Sequence, residues 1–196
     1  MDPATDWLHH SPINLLVDYY TEVQFRPYGS GLREDEVVPW LRQAKLGYVC
    51  IYAKGHSGYT TWHSRLGTAH TMLARDQPAF WRKATRAAGT RLVLYVSGLL
   101  DGIAGQRHPE WVQQDLTGAA CPPWFTDFKC TQSYALCPQS AYWNEWMLPQ
   151  LEELLSTYEP DGIWVDGDWP GPCSVSYTHL RAHETKANLV CRLLLE

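Results

Sequence analysis

Hydrophobic residues gather along the chain in four short runs: 13–19 (INLLVDY), 48–53 (YVCIYA), 91–97 (RLVLYVS) and 162–166 (GIWVD). Runs that are continuous rather than alternating predict strands covered on both faces, as in a parallel sheet. Segments of helical period separate them. In 33–45, Val37, Val38, Trp40, Leu41 and Ala44 make one apolar face, acidic residues cluster at the start, and Gly47 is the expected stop. Pro39 within this segment predicts either a kink or a later first turn. Segment 78–88 opens on Pro78 and is followed by Gly89, residue types that suit a helix's first turn and its end. A longer helical segment covers 140–158. The order is β-α-β-α-β-α-β, an α/β chain with a parallel sheet.

No GxGxxG or P-loop follows the first run, which argues against a nucleotide-binding doubly wound sheet. Long polar and aromatic loops instead follow the second and third strands, at 54–77 and 98–139. A (β/α)8 TIM barrel builds its site from such loops, and a complete one needs roughly 250 residues. The chain has 196. Four strands predict the N-terminal half of a barrel, truncated after strand four. An isolated half-barrel is expected to be inactive and to associate through its open edges.

The stretch 175–196 departs from the rest. VSYTHLRAHET (175–185) reads as a translated transposase-type sequencing adapter, with 186–188 in place of index bases and 189–196 in place of a flanking primer. A natural amphipathic helix over 189–195 is the alternative. The expected division is a partial barrel domain over 1–174 and a non-native tail over 175–196. The tail carries Arg181, Lys186 and Arg192 against Glu184 and Glu196, so without it the net charge of −5 becomes −6.

A mildly acidic domain with no Lys/Arg cluster is a poor nucleic-acid binder. Outside the tail, Cys50, Cys121, Cys130, Cys137 and Cys173 are odd in number and form no CxxC pair, so neither a zinc site nor a disulfide framework is expected. Residues 1–10 lack an apolar signal core and no run reaches membrane-spanning length. A cytoplasmic protein without membrane contact is the default; secretion would require a start site upstream. Oligomeric state is not legible.

Chemistry concentrates in two places. In 158–169 (YEPDGIWVDGDW), a helix end and a turn lead into a short strand that releases Asp166, followed by Asp168 and Trp169. Ligands gather at the C-terminal ends of parallel strands, so this is where a catalytic carboxylate belongs. A carboxylate beside an aromatic face suits a sugar, although a strand ending in a polar turn looks the same. In 53–64 (AKGHSGYTTWHS), Lys54 and His56 lie just past a strand end, where they can donate to hydroxyls and keep Asp166 ionised. Tyr59 and Trp62 offer stacking faces. The alternative is that Trp62 is core and His56 an ordinary loop histidine. Ten Trp and eleven Tyr add stacking surface, with Trp111 and Trp124 also in loops after strands, but most tryptophans are simply packed. Asp18, ending the first strand, is a candidate for orienting substrate. Retaining glycoside hydrolysis needs two carboxyl groups about 5 Å apart; for the acid, Asp168 lies close in sequence and Glu110 is a loop candidate.

Residues 54–64 resemble the K-H-H-[DE]-G-F-x-x-W-x-S motif of the family 29 glycoside hydrolases, the α-L-fucosidases. Residues 158–169 are similar to that family's Y-x-P-D-x-x-W-x-D-G-x-W. The resemblance implies that Asp166 is the nucleophile of a retaining mechanism, that His56 binds sugar hydroxyls, and that the acid/base comes later in the chain. It also implies a carbohydrate substrate and no metal or organic cofactor. Gly55 stands where the family has its first histidine, and Ser57 where it has an acid. The V-D-Y ending of the first strand, A-K-x-H-x-G-Y (53–59), R-H-P-E-W (107–111) and D-G-I-W-x-D (161–166) are also similar to a related fucosidase-like branch of glycosyl hydrolases. Two other readings compete. One is a carbohydrate-binding barrel without catalysis; the other is a metal-dependent hydrolase using Asp18, His56 and Asp166 as ligands.

Overall fold

The computed structural model describes residues 7, 13–17, 27–123, 125–127 and 131–167. Asp18, Trp124, Cys130, Asp168, Trp169 and the adapter-like stretch 175–196 lie outside the described residues, so the expectations placed on them carry no structural account.

The four apolar runs form parallel strands in chain order. β1 (Leu15–Val17) pairs with β2 (Tyr48–Lys54), a pair of short antiparallel and parallel additions, β3 (Tyr59–Thr60) and β4 (Thr68–Ala69), extends from the end of β2, and β5 (Arg91–Ser97) lies on its other side. A small hairpin, β6 (Phe125–Asp127) and β7 (Thr131–Ser133), stands apart, and β8 (Gly162–Asp166) closes the series against β5. The order β1-β2-β5-β8, each step parallel and made through a helical crossover, is the arrangement that successive β/α units produce.

The helices match the sequence reading with instructive changes. Helix α1 (Glu34–Ala44) has Glu34, Asp35 and Glu36 in its first turn, where the helix dipole favours negative charge. It runs straight through Pro39 and stops at Lys45, which takes a left-handed φ of 51°, two residues before the expected Gly47. Trp40, assigned to the apolar face, is exposed, while Leu41 is fully buried. Helix α2 (Gln77–Ala88) is capped by Asp76, whose side chain accepts from the Ala79 N–H at 2.9 Å, and ends at Gly89 with φ 74°. The loop after β5 contains an unanticipated short helix, α3 (Gly102–Arg107), and a 3-10 turn, Pro109–Trp111. The expected long helix 140–158 is two structures: a π-helical segment, Tyr142–Met147, then α4 (Leu148–Tyr158). Pro149 has no N–H to give to the residue four before it, and the wider turn sits immediately upstream of that missing donor.

The sheet has two distinct faces. Val49, Ile51, Ala53, Leu92, Leu94 and Val96 pack against the helices, with Ile163 and Val165 beside them. The opposite, inner face is built in rows by the register. Leu16, Cys50, Val93 and Gly162 lie side by side, then Tyr52, Tyr95 and Trp164, then Ser97 and Asp166. Leu16 and Trp164 are 40% and 42% exposed, so this inner face is open at both edges among the described residues. Among those residues no helix is long and apolar enough to cross a membrane.

Candidate functional site

The site is assembled where β2, β5 and β8 end. Strand alternation turns Asp166 onto the inner face with Tyr95 and Ser97 from the neighbouring strand. The Asp166 carboxylate is held at both oxygens: the Tyr95 phenol donates a short hydrogen bond to Oδ2, and the Gly167 N–H donates to Oδ1 at 2.9 Å. The side chain still keeps 39% exposure, so it is fixed and accessible together. Burial, then the neighbouring Asp166 carboxylate, pushes the Tyr95 phenol far above its ordinary pKa, so it remains a donor throughout the working pH range. Tyr52 lies against Tyr95 with ring centroids 4.0 Å apart, and Trp164 meets the same ring edge-on at 5.3 Å.

The strand ends approach closely here. The Gly98 N–H donates to the Asp166 carbonyl at 2.6 Å, and a side chain at Gly98 would meet Val165 at 2.6 Å. Gly167 has φ 143°, and a Cβ there would sit 2.9 Å from the Leu99 nitrogen. Glycine at both positions lets the backbones after β5 and β8 touch just behind the carboxylate.

His56 joins from the β2 loop. Its Nδ1 lies 2.7 Å from Ser97 Oγ, its Nε2 4.0 Å from Asp166 Oδ2, and its side chain is 14% exposed. The loop is clamped by the start of α3: the His56 carbonyl accepts from Gly102 N–H at 3.0 Å and the Ser57 carbonyl from Ile103 N–H at 3.1 Å. His56 therefore reaches the carboxylate expected from the sequence.

Lys54 does not, and the assignment of Lys54 as a donor to substrate is corrected. The register slips between Tyr52 and Lys54, so that Lys54 lies opposite Val96, on the helix-packed face. A β-bulge of this kind inverts the side-chain alternation beyond it. Lys54 is 1% exposed, and its Nζ pairs with Asp101 Oδ2 at 2.7 Å and contacts the Tyr142 hydroxyl at 3.0 Å. Asp101, 0% exposed, also caps α3 through Ala104 N–H at 2.8 Å and accepts from Trp146 Nε1 at 3.2 Å. The pair fastens the β2 end to the loop after β5 and to the π-helical segment, in support of the site rather than within it.

The stacking face expected at Trp62 is corrected as well. Trp62 is 1% exposed and donates from Nε1 to Glu153 Oε2 at 3.3 Å, which makes it core, the alternative given for it above. Glu153 gathers the Ser64 hydroxyl at 2.6 Å and the Arg65 N–H at 3.0 Å besides. Burial opposes its ionisation, yet these donors together hold its pKa below the ordinary carboxylate value. Tyr59 is half-buried with its ring edge-on to His70 at 5.6 Å. The loop acid Glu110 is paired with His108, whose ring stacks on Trp111 at 3.7 Å. Its own backbone N–H, then His108, lowers its pKa, the wrong direction for a general acid.

Tyr95 and Ser97 are the site residues that sequence reasoning missed. A signal existed: with 91–97 paired in parallel to 162–166, alternation alone puts two residues of the third strand beside Asp166. As for metal ligands, Asp18 lies outside the described residues, and among those described no group of three His, Cys, Asp or Glu side chains converges.

The alpha-L-fucosidase family model matches residues 29–192, a span that ends inside the stretch 175–196. The alpha-L-fucosidase of Dictyostelium discoideum is 27% identical over 126 residues, 62% of this chain and 23% of that protein. The tissue alpha-L-fucosidase of Bos taurus is 30% identical over 129 residues, 64% of this chain and again 23% of the relative. Among solved structures, alpha-L-fucosidase isoenzyme 2 from Paenibacillus thiaminolyticus superposes with a TM-score of 0.70 at 20% identity, covering 86% of this chain and 26% of that one. At that identity the likeness is one of fold. The chain thus spans 23% of the length of either curated relative.

Proposed function

The chain belongs to the alpha-L-fucosidase family, and from that premise we propose that it carries the nucleophile of a retaining α-L-fucoside hydrolase, Asp166, on the first four of eight β/α units. One observation carries this reading. Asp166 stands at the C-terminal end of a parallel strand, fixed at both oxygens by Tyr95 and Gly167, and is still open to solvent. A nucleophilic carboxylate has to be immobile and reachable, and this one is both.

In the proposed reaction a carboxylate oxygen of Asp166 forms a bond to the anomeric carbon as the glycosidic C–O bond breaks. The departing oxygen takes a proton from an acid, and water then cleaves the glycosyl–Asp166 ester with that same group acting as base. The nearby Tyr95 hydroxyl steadies the oxygen that does not attack, and His56 lies within reach of the sugar's hydroxyls. With Glu110 paired to His108, the acid/base falls to sequence beyond the described residues, as the family resemblance implies. The substrate is a carbohydrate, and the exposed Trp164 beside Tyr95 supplies an apolar face for the pyranose ring.

The test uses the longer protein that contains this chain, with an aryl α-L-fucoside as substrate. Asp166→Gly is expected to lower kcat by at least about 10³-fold, and added azide to restore turnover as the inverted fucosyl azide. An Asp166→Gly enzyme that hydrolyses at the wild-type rate would sink the assignment.

A further inference from the structure

Ser97 ends β5 fully buried, and its single hydroxyl proton is already placed: Oγ donates to the Leu100 carbonyl at 2.7 Å. A carbonyl oxygen can only accept, so that proton is unavailable to any other partner. The same Oγ lies 2.7 Å from His56 Nδ1. With the serine proton committed, the hydrogen bond between them exists only if Nδ1 is the donor. We infer that Ser97 is a positioning residue, one that commits the neutral His56 ring to its Nδ1–H form and turns Nε2, as an acceptor, toward the Asp166 side of the site.

The geometry of the surroundings supports this in three ways. Ser97 is the register partner of Asp166, so the residue that sets the proton on His56 and the carboxylate are neighbours across one ladder. The His56 backbone is independently fixed by Gly102, and at the ring Ser97 is the group 2.7 Å from Nδ1. Nε2 then lies 4.0 Å from Asp166 Oδ2 as an acceptor, a group to which a single incoming hydroxyl can give its one proton. A ring held in the opposite form would instead present Nε2–H to the carboxylate and compete for the lone pairs the chemistry requires. The inference rests on the hydrolase reading for its purpose, though not for its test.

The test is the two-bond proton–nitrogen correlation spectrum of the 196-residue chain labelled with 15N-histidine, at about pH 8, where an ordinary imidazole is neutral. His56→Gln identifies the His56 signals by their loss. The wild-type ring is expected to show a protonated, pyrrole-type Nδ1 and a pyridine-type Nε2. Ser97→Ala should lower the ratio of Nδ1–H to Nε2–H by about fivefold or more, the worth of one ordinary hydrogen bond. Ser97→Thr, which keeps the hydroxyl, should restore it. Ser133→Ala, which removes another buried hydroxyl, one without a partner among the described residues, should leave it unchanged. A pyridine-type Nδ1 in the wild-type chain overturns the inference, as does an unaltered tautomer in Ser97→Ala. If Ser97→Ala does not fold, the wild-type spectrum decides alone. No turnover is involved, so a longer protein without fucosidase activity would defeat the proposed function and leave this result standing.

Discussion

Buried polar residues bear on stability in two distinct ways. His70 is 3% exposed, with its Nδ1 accepting from the Met72 N–H at 3.2 Å. Burial lowers its pKa from the ordinary 6.5, so the folded chain keeps the ring neutral. The unfolded chain binds a proton there at a higher pH than the folded one. The contribution of His70 to stability is therefore complete above about pH 6.5 and is lost as the pH falls toward its folded value. Melting temperature should drop on acidification through that window, and His70→Asn, which keeps an acceptor near Met72 without a titrating ring, should flatten the drop. An equally steep pH profile in the variant would refute this. Lys54 and Asp101 are a different case, an ion pair out of reach of water. Lys54→Met leaves a buried carboxylate without its cation and should destabilise the chain by about 3–5 kcal/mol in urea unfolding. Adding Asp101→Asn should recover part of that loss, because the stranded charge is then gone.

Elements differ in how plainly the sequence announces them. The four parallel strands are legible because covered strands need uninterrupted apolar side chains, and α2 because Pro78 and Gly89 mark its two ends. The bulge in β2 has no such mark. One residue slipped between Tyr52 and Lys54 leaves the apolar run unbroken while reversing the side-chain alternation beyond it, which is why Asp166 and His56 are legible and the place of Lys54 is not. Trp62 is hidden for a related reason: an aromatic in a polar loop looks available until Glu153, 91 residues away in the chain, is seen to accept its N–H. The π-helical segment is equally silent, since Pro149 is compatible with an ordinary first helical turn. Element ends can also be tested. Gly167→Ala must carry a Cβ at φ 143° and push it against the Leu99 backbone. It should cost about 1–3 kcal/mol, and because Gly167 N–H also holds Asp166 Oδ1, it should reduce fucoside turnover in the longer protein more than Gly89→Ala, which strains a left-handed φ of 74° away from the carboxylate. Equal turnover in the two variants would count against a fixed carboxylate.

At the scale of the molecule, the sheet is sealed by helices on one side, while its inner face is buried along the middle strands and open at both edges. β1 and β8 are each paired along one edge only among the described residues, and the row Tyr52, Tyr95, Trp164 ends in a tryptophan that is 42% exposed. Unpaired parallel edges beside an apolar face recruit other chains. Expressed alone, the 196-residue chain should sediment as dimers or larger assemblies, and a monodisperse monomer with a cooperative melt would contradict a half-barrel. The bulge in β2 has one more consequence. It acts as a parity change in the strand: residues before it obey one odd–even rule for inside and outside, and residues after it obey the other. Deleting Ala53 would restore a single parity and leave Lys54 opposite Val96, beside Asp101, whereas a straight β2 that kept Ala53 would turn Lys54 to the inner face in the row of Ser97 and Asp166. The surplus residue thus works as a spacer that keeps a cation beside Asp101 and out of the row that holds Asp166.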